Sequence, residues 1–382
     1  MEERRRIGII FNFSKNWLGG IYYVVNIVKT LNFLEDDKKP EVILFYDVAL
    51  KEFLHEFDYP YITKVEWRFP SLIKGYLASW FTGKNTFIDD MVGQYKLDGV
   101  YPLMNQSVDA GKYEKEGVKL VSWFADLQHK YYPGFFTKKQ WWMREIRLKL
   151  MLRNTNNLVV SSHSVENDFN KFYKLKESLK ISVYHFTSII DDFKFENHSE
   201  LLKKYNLPDK YFMVSNQFHK HKNHKVLLES LILLKKKKND IHLAITGKFP
   251  SDSNSPYIVE LYDLIEKNNL HDKISFLGVI SRHDQLCLMR YCQAVVQPSL
   301  FEGWSTVIED AISLQTPVIA SDLEVNIEQL GDKGAFFSPH DADQLAGLLE
   351  NHPVRIDFSK KLYEDYNDRV RGAAMKFIQI FD

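Results

Sequence analysis

Pro298-Ser299-Leu300-Phe301-Glu302-Gly303-Trp304-Ser305-Thr306-Val307-Ile308-Glu309-Asp310 follows an apolar run, Ala294-Val295-Val296, and precedes Thr316-Pro317-Val318-Ile319-Ala320-Ser321. The order reads as a buried strand, an acidic glycine loop, a helix and a second strand. Such a loop gathers a carboxylate at Glu302, flexible backbone at Gly303 and the unpaired N–H groups of a new helix. Helix-terminal N–H groups receive anions and a carboxylate accepts from hydroxyls, so the loop suits a ligand carrying both phosphate and sugar hydroxyls. Taken alone, the stretch has a second, less favoured reading, a helix capped by Ser305 with Glu309 and Asp310 on its surface.

The same alternation runs outward in both directions. Strand-like segments lie at 7–13, 41–46, 99–104, 119–124, 158–161 and 181–186, then at 211–215, 241–246, 274–279, 294–297, 317–321 and 334–337. Helix-length stretches separate most neighbours, which is the pattern of parallel α/β layers. The two halves share a layer order, and the boundary is expected within 187–200, where Asp191, Asp192, Asn197 and His198 interrupt the periodicity. A long helix-patterned segment, 358–381, closes the chain.

Composition bounds the function. A chain of 382 residues permits two substantial cores. Its 45% hydrophobic and 14% aromatic content excludes disorder. Lys+Arg and Asp+Glu both total 50, so no global field favours nucleic acid. Cys287 and Cys292 make neither a disulfide framework nor a metal cluster. The first apolar run, 7–11, is too short for a signal peptide, and no segment approaches the ~20 apolar residues of a membrane span. These features predict a reducing, cytoplasmic location, in which the Asn-x-Ser matches at Asn12, Asn105 and Asn197 are chance. The Lys235-Lys236-Lys237-Lys238 run reads as a solvated helix C-terminus, where cations meet exposed carbonyls.

Three further segments carry chemistry. Leu18-Gly19-Gly20-Ile21 opens a helix just after the first strand; paired glycines let backbone approach an anion, although a plain turn has the same appearance. Ser215-Asn216-Gln217-Phe218-His219-Lys220-His221-Lys222-Asn223-His224 follows the first strand of the second half. It is a basic loop; its histidine spacing suits zinc, but no cysteine or acid stands beside it, so no metal is expected. Ala125-Asp126-Leu127-Gln128-His129-Lys130 follows a first-half strand, and His129 is either a proton-handling group or a core histidine.

Together, and most strongly across 211–321, these segments resemble the family 4 (group 1) retaining glycosyltransferases of the GT-B fold. The resemblance implies two Rossmann-like α/β domains facing each other across a cleft. Residues 1–190 plus 360–382 would form the acceptor-side domain, with the terminal helix crossing back to it, and 200–359 the nucleotide-sugar domain. It places Gly19 and Gly20 beside the donor diphosphate and matches Lys222 to the lysine that faces it. Gln217 stands where the family carries arginine; glutamine donates hydrogen bonds but neutralises no charge. Glu302 matches the acid that touches sugar hydroxyls. The family's second acid falls eight positions on, at Asp310, with Glu309 beside it as the other candidate to hold the ribose. Gly303, Trp304, Ser305 and Thr306 would line the diphosphate and sugar. His129 would lie near the reacting carbon, with Asp126 orienting it or touching the acceptor.

The implied reaction uses a UDP- or GDP-sugar as co-substrate, no cofactor and no metal, and His129, Lys222 and Glu302 as catalytic groups. Its acceptor would be a glycan or a lipid-linked glycan in cell-surface polysaccharide or lipopolysaccharide assembly. Asp341-Ala342-Asp343 reads as a helix cap, not a metal motif. The rivals are a non-catalytic GT-B-fold binding protein and a nucleotide-sugar epimerase on the same scaffold.

Residues 138–153 hold six cations against one acid, with Trp141 and Trp142, a composition that suits an anionic bilayer surface at the inner face of the membrane. Helical projection scatters the apolar residues, so a partly buried helix fits equally well.

Overall fold

The computed structural model describes residues 3–104, 106–190, 198–250, 255–352 and 361–382. Asn105, Asp191, Asp192, Asn197 and the first three residues of the closing segment 358–381 lie outside them. The chain divides into two compact units, Met1–Ile189 with Tyr366–Asp382, and Ile190–Asp365.

The first unit holds a seven-stranded parallel sheet. Its strands are β1 (Arg6–Phe11), β2 (Glu41–Tyr46), β3 (Ile62–Glu66), β4 (Gly99–Leu103), β5 (Lys119–Trp123), β6 (Asn157–Val160) and β7 (Lys180–Val183). They lie in the order β3-β2-β1-β4-β5-β6-β7. The central strands are buried apolar runs such as Ile7-Gly8-Ile9-Ile10-Phe11, as expected where both faces of a sheet are covered. β3 departs from the sequence expectation: Ile62-Thr63-Lys64-Val65-Glu66 is a half-exposed edge strand, in parallel register with β2 from Val42 opposite Ile62 to Tyr46 opposite Glu66. The terminal helix Tyr366–Gln379 belongs to this unit, with Phe377 edge-on to Tyr101 at 5.5 Å and 5.7 Å from Tyr184. The ring of Phe381 lies where a Cβ on Gly99 would stand, so only glycine lets that strand meet the chain end.

The second unit holds a six-stranded parallel sheet in the order β10-β9-β8-β11-β12-β13. These strands are β8 (Phe212–Ser215), β9 (Leu243–Thr246), β10 (Ile274–Gly278), β11 (Val295–Gln297), β12 (Val318–Ser321) and β13 (Ala335–Phe337). Successive residues at β8 feed opposite cores, Phe212 and Val214 on one face, Met213 and the preceding Tyr211 on the other. Each fully buried aliphatic side chain in these layers contributes about 1.5–3 kcal/mol. In each sheet the strand order reverses beside its first strand, between β1 and β4 and between β8 and β11. Ligands of open parallel sheets bind at the carboxyl ends of the strands at such a switch point. In the second unit, that point lies where the chain leaves β8 at Ser215 and β11 at Gln297.

Candidate functional site

Gln297, the last residue of β11, is fully buried and organises the switch point. Its Oε1 accepts from Asn216 Nδ2 at 2.9 Å. Its Nε2 donates to Glu302 Oε1 at 2.8 Å and to Ser299 Oγ at 3.2 Å. Glu302 Oε1 also accepts from Ser299 Oγ at 2.6 Å and from Lys222 Nζ at 2.7 Å. The Glu302 and Lys222 side chains are 9% and 19% exposed. Burial alone would raise the Glu302 carboxyl, but the charges of Lys222 and His221 and the bonds from Lys222 and Ser299 outweigh it and hold the group below the ordinary glutamate value. The site therefore keeps an ionised carboxylate beside a cation, both largely buried.

Two ties fix this geometry. The Leu300 N–H donates to the His221 carbonyl at 2.7 Å, and Asn223 Nδ2 donates to the carbonyls of Pro298 at 3.0 Å and Pro339 at 2.7 Å. Asn223 sits at φ 55°, a left-handed conformation that asparagine accepts, and it ends the basic turn Lys220–Lys222. The exit of β9 supplies the second. Gly247 has φ 99°, and a Cβ there would lie 2.7 Å from the Asn216 carbonyl oxygen. A side chain at 247 would push Asn216 away from Gln297.

The acidic helix Thr306–Ser313 is capped as its sequence suggests, with Ser305 Oγ accepting from the Ile308 N–H at 3.3 Å. Its two candidate ribose acids diverge. Glu309 is buried, and its Oε1 accepts from Trp304 Nε1 at 3.1 Å and Gln329 Nε2 at 2.8 Å. Asp310 is also buried and takes both Nη groups of Arg282, one at 2.5 Å to Oδ2 and the other to Oδ1. The reading that leaves both acids on the helix surface is thus corrected. Gln217 is exposed and accepts from His219 Nε2 at 2.9 Å, while the His219 and His221 rings stack at 5.6 Å.

The His224 ring lies on Phe218, with ring centroids 4.2 Å apart. It is 1% exposed, and neither ring nitrogen has a hydrogen-bond partner among the described residues. Burial, aided by Lys222, His219 and His221, drives its pKa down to about 3. The unfolded chain protonates this histidine near pH ~6.5 and the folded chain does not. Stability from the neutral ring is therefore complete above ~6.5 and is lost as pH falls toward about 3, by up to ~1.4 kcal/mol per pH unit. His224→Leu should flatten that part of the pH–stability curve in urea melts. Equal slopes for the two proteins between pH ~6.5 and ~5 would refute the assignment.

In the first unit, Gly20 has a packing reason of its own. A Cβ there would meet the Trp17 indole at 2.7–2.9 Å. Trp17 in turn lies parallel to Trp123 at 5.8 Å, and Trp123 stacks on Tyr23 at 4.1 Å. Gly19 faces only the edge of the same indole, at 3.6 Å. His129 is fully buried, with Nε2 2.7 Å from Glu145 Oε1. Glu145 also accepts from Lys130 Nζ at 2.8 Å and Tyr173 Oη at 2.5 Å. Burial lowers the His129 pKa despite the Glu145 bond, so its ring is neutral near pH 7. His129 is a core residue that holds its loop, which takes the bland alternative left open by the sequence. Asp126 accepts from the Gln128 N–H and from Arg144 Nη2, both at 3.0 Å, which closes its own turn and pairs it with the guanidinium. Asp341 accepts from the Gln344 N–H at 2.9 Å, capping Ala342–Glu350.

The sequence assigns no site role to Gln297, Ser299 or Arg282. A polar residue ending a buried apolar run was the available signal for Gln297; nothing local marks Arg282.

Known proteins resemble the chain in sequence over part of its length and in fold over nearly all of it. Residues 197–352 match the glycosyl transferases group 1. The chain is 26% identical to the O-antigen chain mannosyltransferase RfbU of Salmonella typhimurium over 59% of its own length. It spans 58% of that relative and 23% and 41% of two others it matches. In fold it resembles sucrose-phosphate synthase from Thermosynechococcus elongatus, with a TM-score of 0.67 and 16% identity over 99% of this chain and 98% of that one. It also resembles Anabaena HepE in complex with UDP and glucose, with a TM-score of 0.66 and 19% identity over 98% and 96% of the two chains. Two parallel-sheet units with these neighbours make the fold GT-B. The β8–β13 unit, which holds the Lys222–Glu302 pair at its switch point, is the part of the chain that matches the group 1 glycosyl transferases.

Proposed function

We propose that the chain transfers a sugar from a nucleoside diphosphate, UDP or GDP, to a glycan or lipid-linked acceptor in cell-surface polysaccharide assembly, with retention of anomeric configuration. The observation that carries the reading is the Lys222–Glu302 pair, 2.7 Å apart and largely buried at the switch point. Lys222 keeps ammonium donors beyond the one given to Glu302 and meets the charge that develops on the leaving diphosphate. Glu302, ionised and oriented by Gln297 and Ser299, receives sugar hydroxyls. The anomeric carbon–phosphate oxygen bond breaks, the acceptor oxygen bonds on the same face, and its proton passes to the departing phosphate oxygen. Positioning and charge stabilisation then supply most of the rate. His129, buried on Glu145, positions its loop and takes no proton from the acceptor.

The relatives named for mannosyl transfer into O-antigen and the neighbour holding UDP and glucose support the same reading. No metal enters the proposed chemistry, and turnover should survive EDTA. Among the described residues no helix is long and apolar enough to cross a membrane. We place the enzyme in the cytoplasm, seated on an anionic inner leaflet through residues 138–153.

Thermal melts with UDP, GDP, ADP and NAD test the donor site. A nucleotide at 100 times its dissociation constant adds about 2.7 kcal/mol to the folded state. A shift with UDP or GDP but not NAD is expected; no shift with any nucleoside diphosphate would sink the proposal. Product analysis separates transfer from epimerisation, because only transfer joins the sugar to a second molecule.

A further inference from the structure

The first unit carries an apolar surface for which the site has no use. Helix Leu72–Thr82 buries Gly75 against Phe87 and packs Leu72 and Tyr76 on the core. Its opposite side is bare. Ile73 is 65% exposed, Leu77 48%, Trp80 81% and Phe81 84%. The spacings of four, three and one residue set them on one face of the helix. Trp80 and Phe81 stack on each other at 6.1 Å, just before Gly83 ends the helix in a left-handed turn.

Helix Lys138–Asn154 stands beside it. Ser107 links the two: its N–H donates to Tyr76 Oη at 2.9 Å, and its Oγ donates to the Leu150 carbonyl at 2.8 Å. The structure resolves the scatter seen in projection. Glu145, Leu148, Met151 and Leu152 face inward, while Trp142, Ile146 and Leu150 form an exposed stripe at i, i+4 and i+8. Lys138, Lys139, Lys149 and Arg153 are exposed and fall within about 60° of that stripe on the helical wheel.

Resting on the membrane-seated reading given above, we propose that both helices form one bilayer-docking face and that Trp80 and Phe81 are its inserted residues. Charge decides the occupant. From residue 67 to 88 the chain has Arg68, Lys74 and Lys84 and no acid; Lys84 pairs with Asp90 just beyond, which leaves Arg68 and Lys74, and the acid of the second helix, Glu145, is buried. A face that is apolar at its tip and cationic at its margin matches the boundary between anionic headgroups and acyl chains. A second copy of this chain would bring like charges together.

The test is flotation of the whole protein with phosphatidylcholine vesicles, with and without phosphatidylglycerol. Wild type should float with the anionic vesicles. Trp80→Ser/Phe81→Ser should partition at least roughly tenfold more weakly, and retain its thermal melt because both side chains are solvent-exposed. Replacing Lys138, Lys139, Lys149 and Arg153 by Gln should abolish the salt dependence. Wild type that ignores both vesicles overturns the membrane reading altogether. Wild-type partitioning by the Trp80→Ser/Phe81→Ser variant overturns the insertion alone, leaving the basic helix as the contact. A solution dimer that this variant abolishes overturns the lipid assignment.

Discussion

Lys222→Ala should lower turnover by about 10²–10³-fold at saturating donor, comparable to removing one donor aimed at developing charge. In the proposed reaction the side chain has two duties, and the variant loses both. It neutralises Glu302, whose carboxylate is nearly buried and would be left with the neutral donors Gln297 and Ser299. Breaking such a pair from one side destabilises a protein by about 3 kcal/mol, because the other charge stays behind. The second duty is toward the leaving group. Lys222→Met with Glu302→Gln separates the two, since removing both charges should restore much of the stability and none of the turnover. Stability comes from urea midpoints and turnover from nucleoside diphosphate release. Turnover within tenfold of wild type for Lys222→Ala would remove the lysine from the chemistry.

Arg282→Met should cost about as much in stability, with the donor site left standing. Asp310 is 2% exposed and takes a two-pronged bond from the guanidinium, whose own side chain is 21% exposed. The variant strands that carboxylate in the interior at a cost of about 3 kcal/mol, a fall of roughly 6–12 °C in Tm for a unit of this size. Arg282→Lys should recover little, because an ammonium cannot make the planar double contact. A fall in Tm with unchanged donor KM would assign Asp310 to the frame. A rise in donor KM with unchanged Tm would return Asp310 to the ribose.

These two cases mark where the sequence is legible. Strands with both faces covered leave continuous apolar runs, so the segments that became β1, β2, β4–β6 and most of the second sheet could be read directly. β3 could not, because an edge strand with exposed Thr63, Lys64 and Glu66 has no such run. At the site, the spacing from Glu302 to Asp310 is local and readable. The partner of Asp310 lies 28 residues upstream, and the partner of Lys222 lies 80 residues downstream, where no local period connects them. His129 shows the converse limit. A histidine after a strand has the same local appearance whether it meets a substrate or Glu145, and only the burial of its ring in the fold distinguishes the two.

The return of Tyr366–Gln379 to the first unit has a consequence for synthesis on the ribosome. The segment that covers Gly99, Tyr101 and Tyr184, the helix and the Phe381 that follows it, is made only after all of Ile190–Asp365 has been translated. At roughly 5–20 residues per second, that delay is on the order of ten seconds or more. The later-made unit can finish folding while the earlier one still shows an uncovered aromatic surface. Yield in the cell then depends on translation speed and on chaperones that shield nascent chains, and slowing elongation between the units lengthens the exposure.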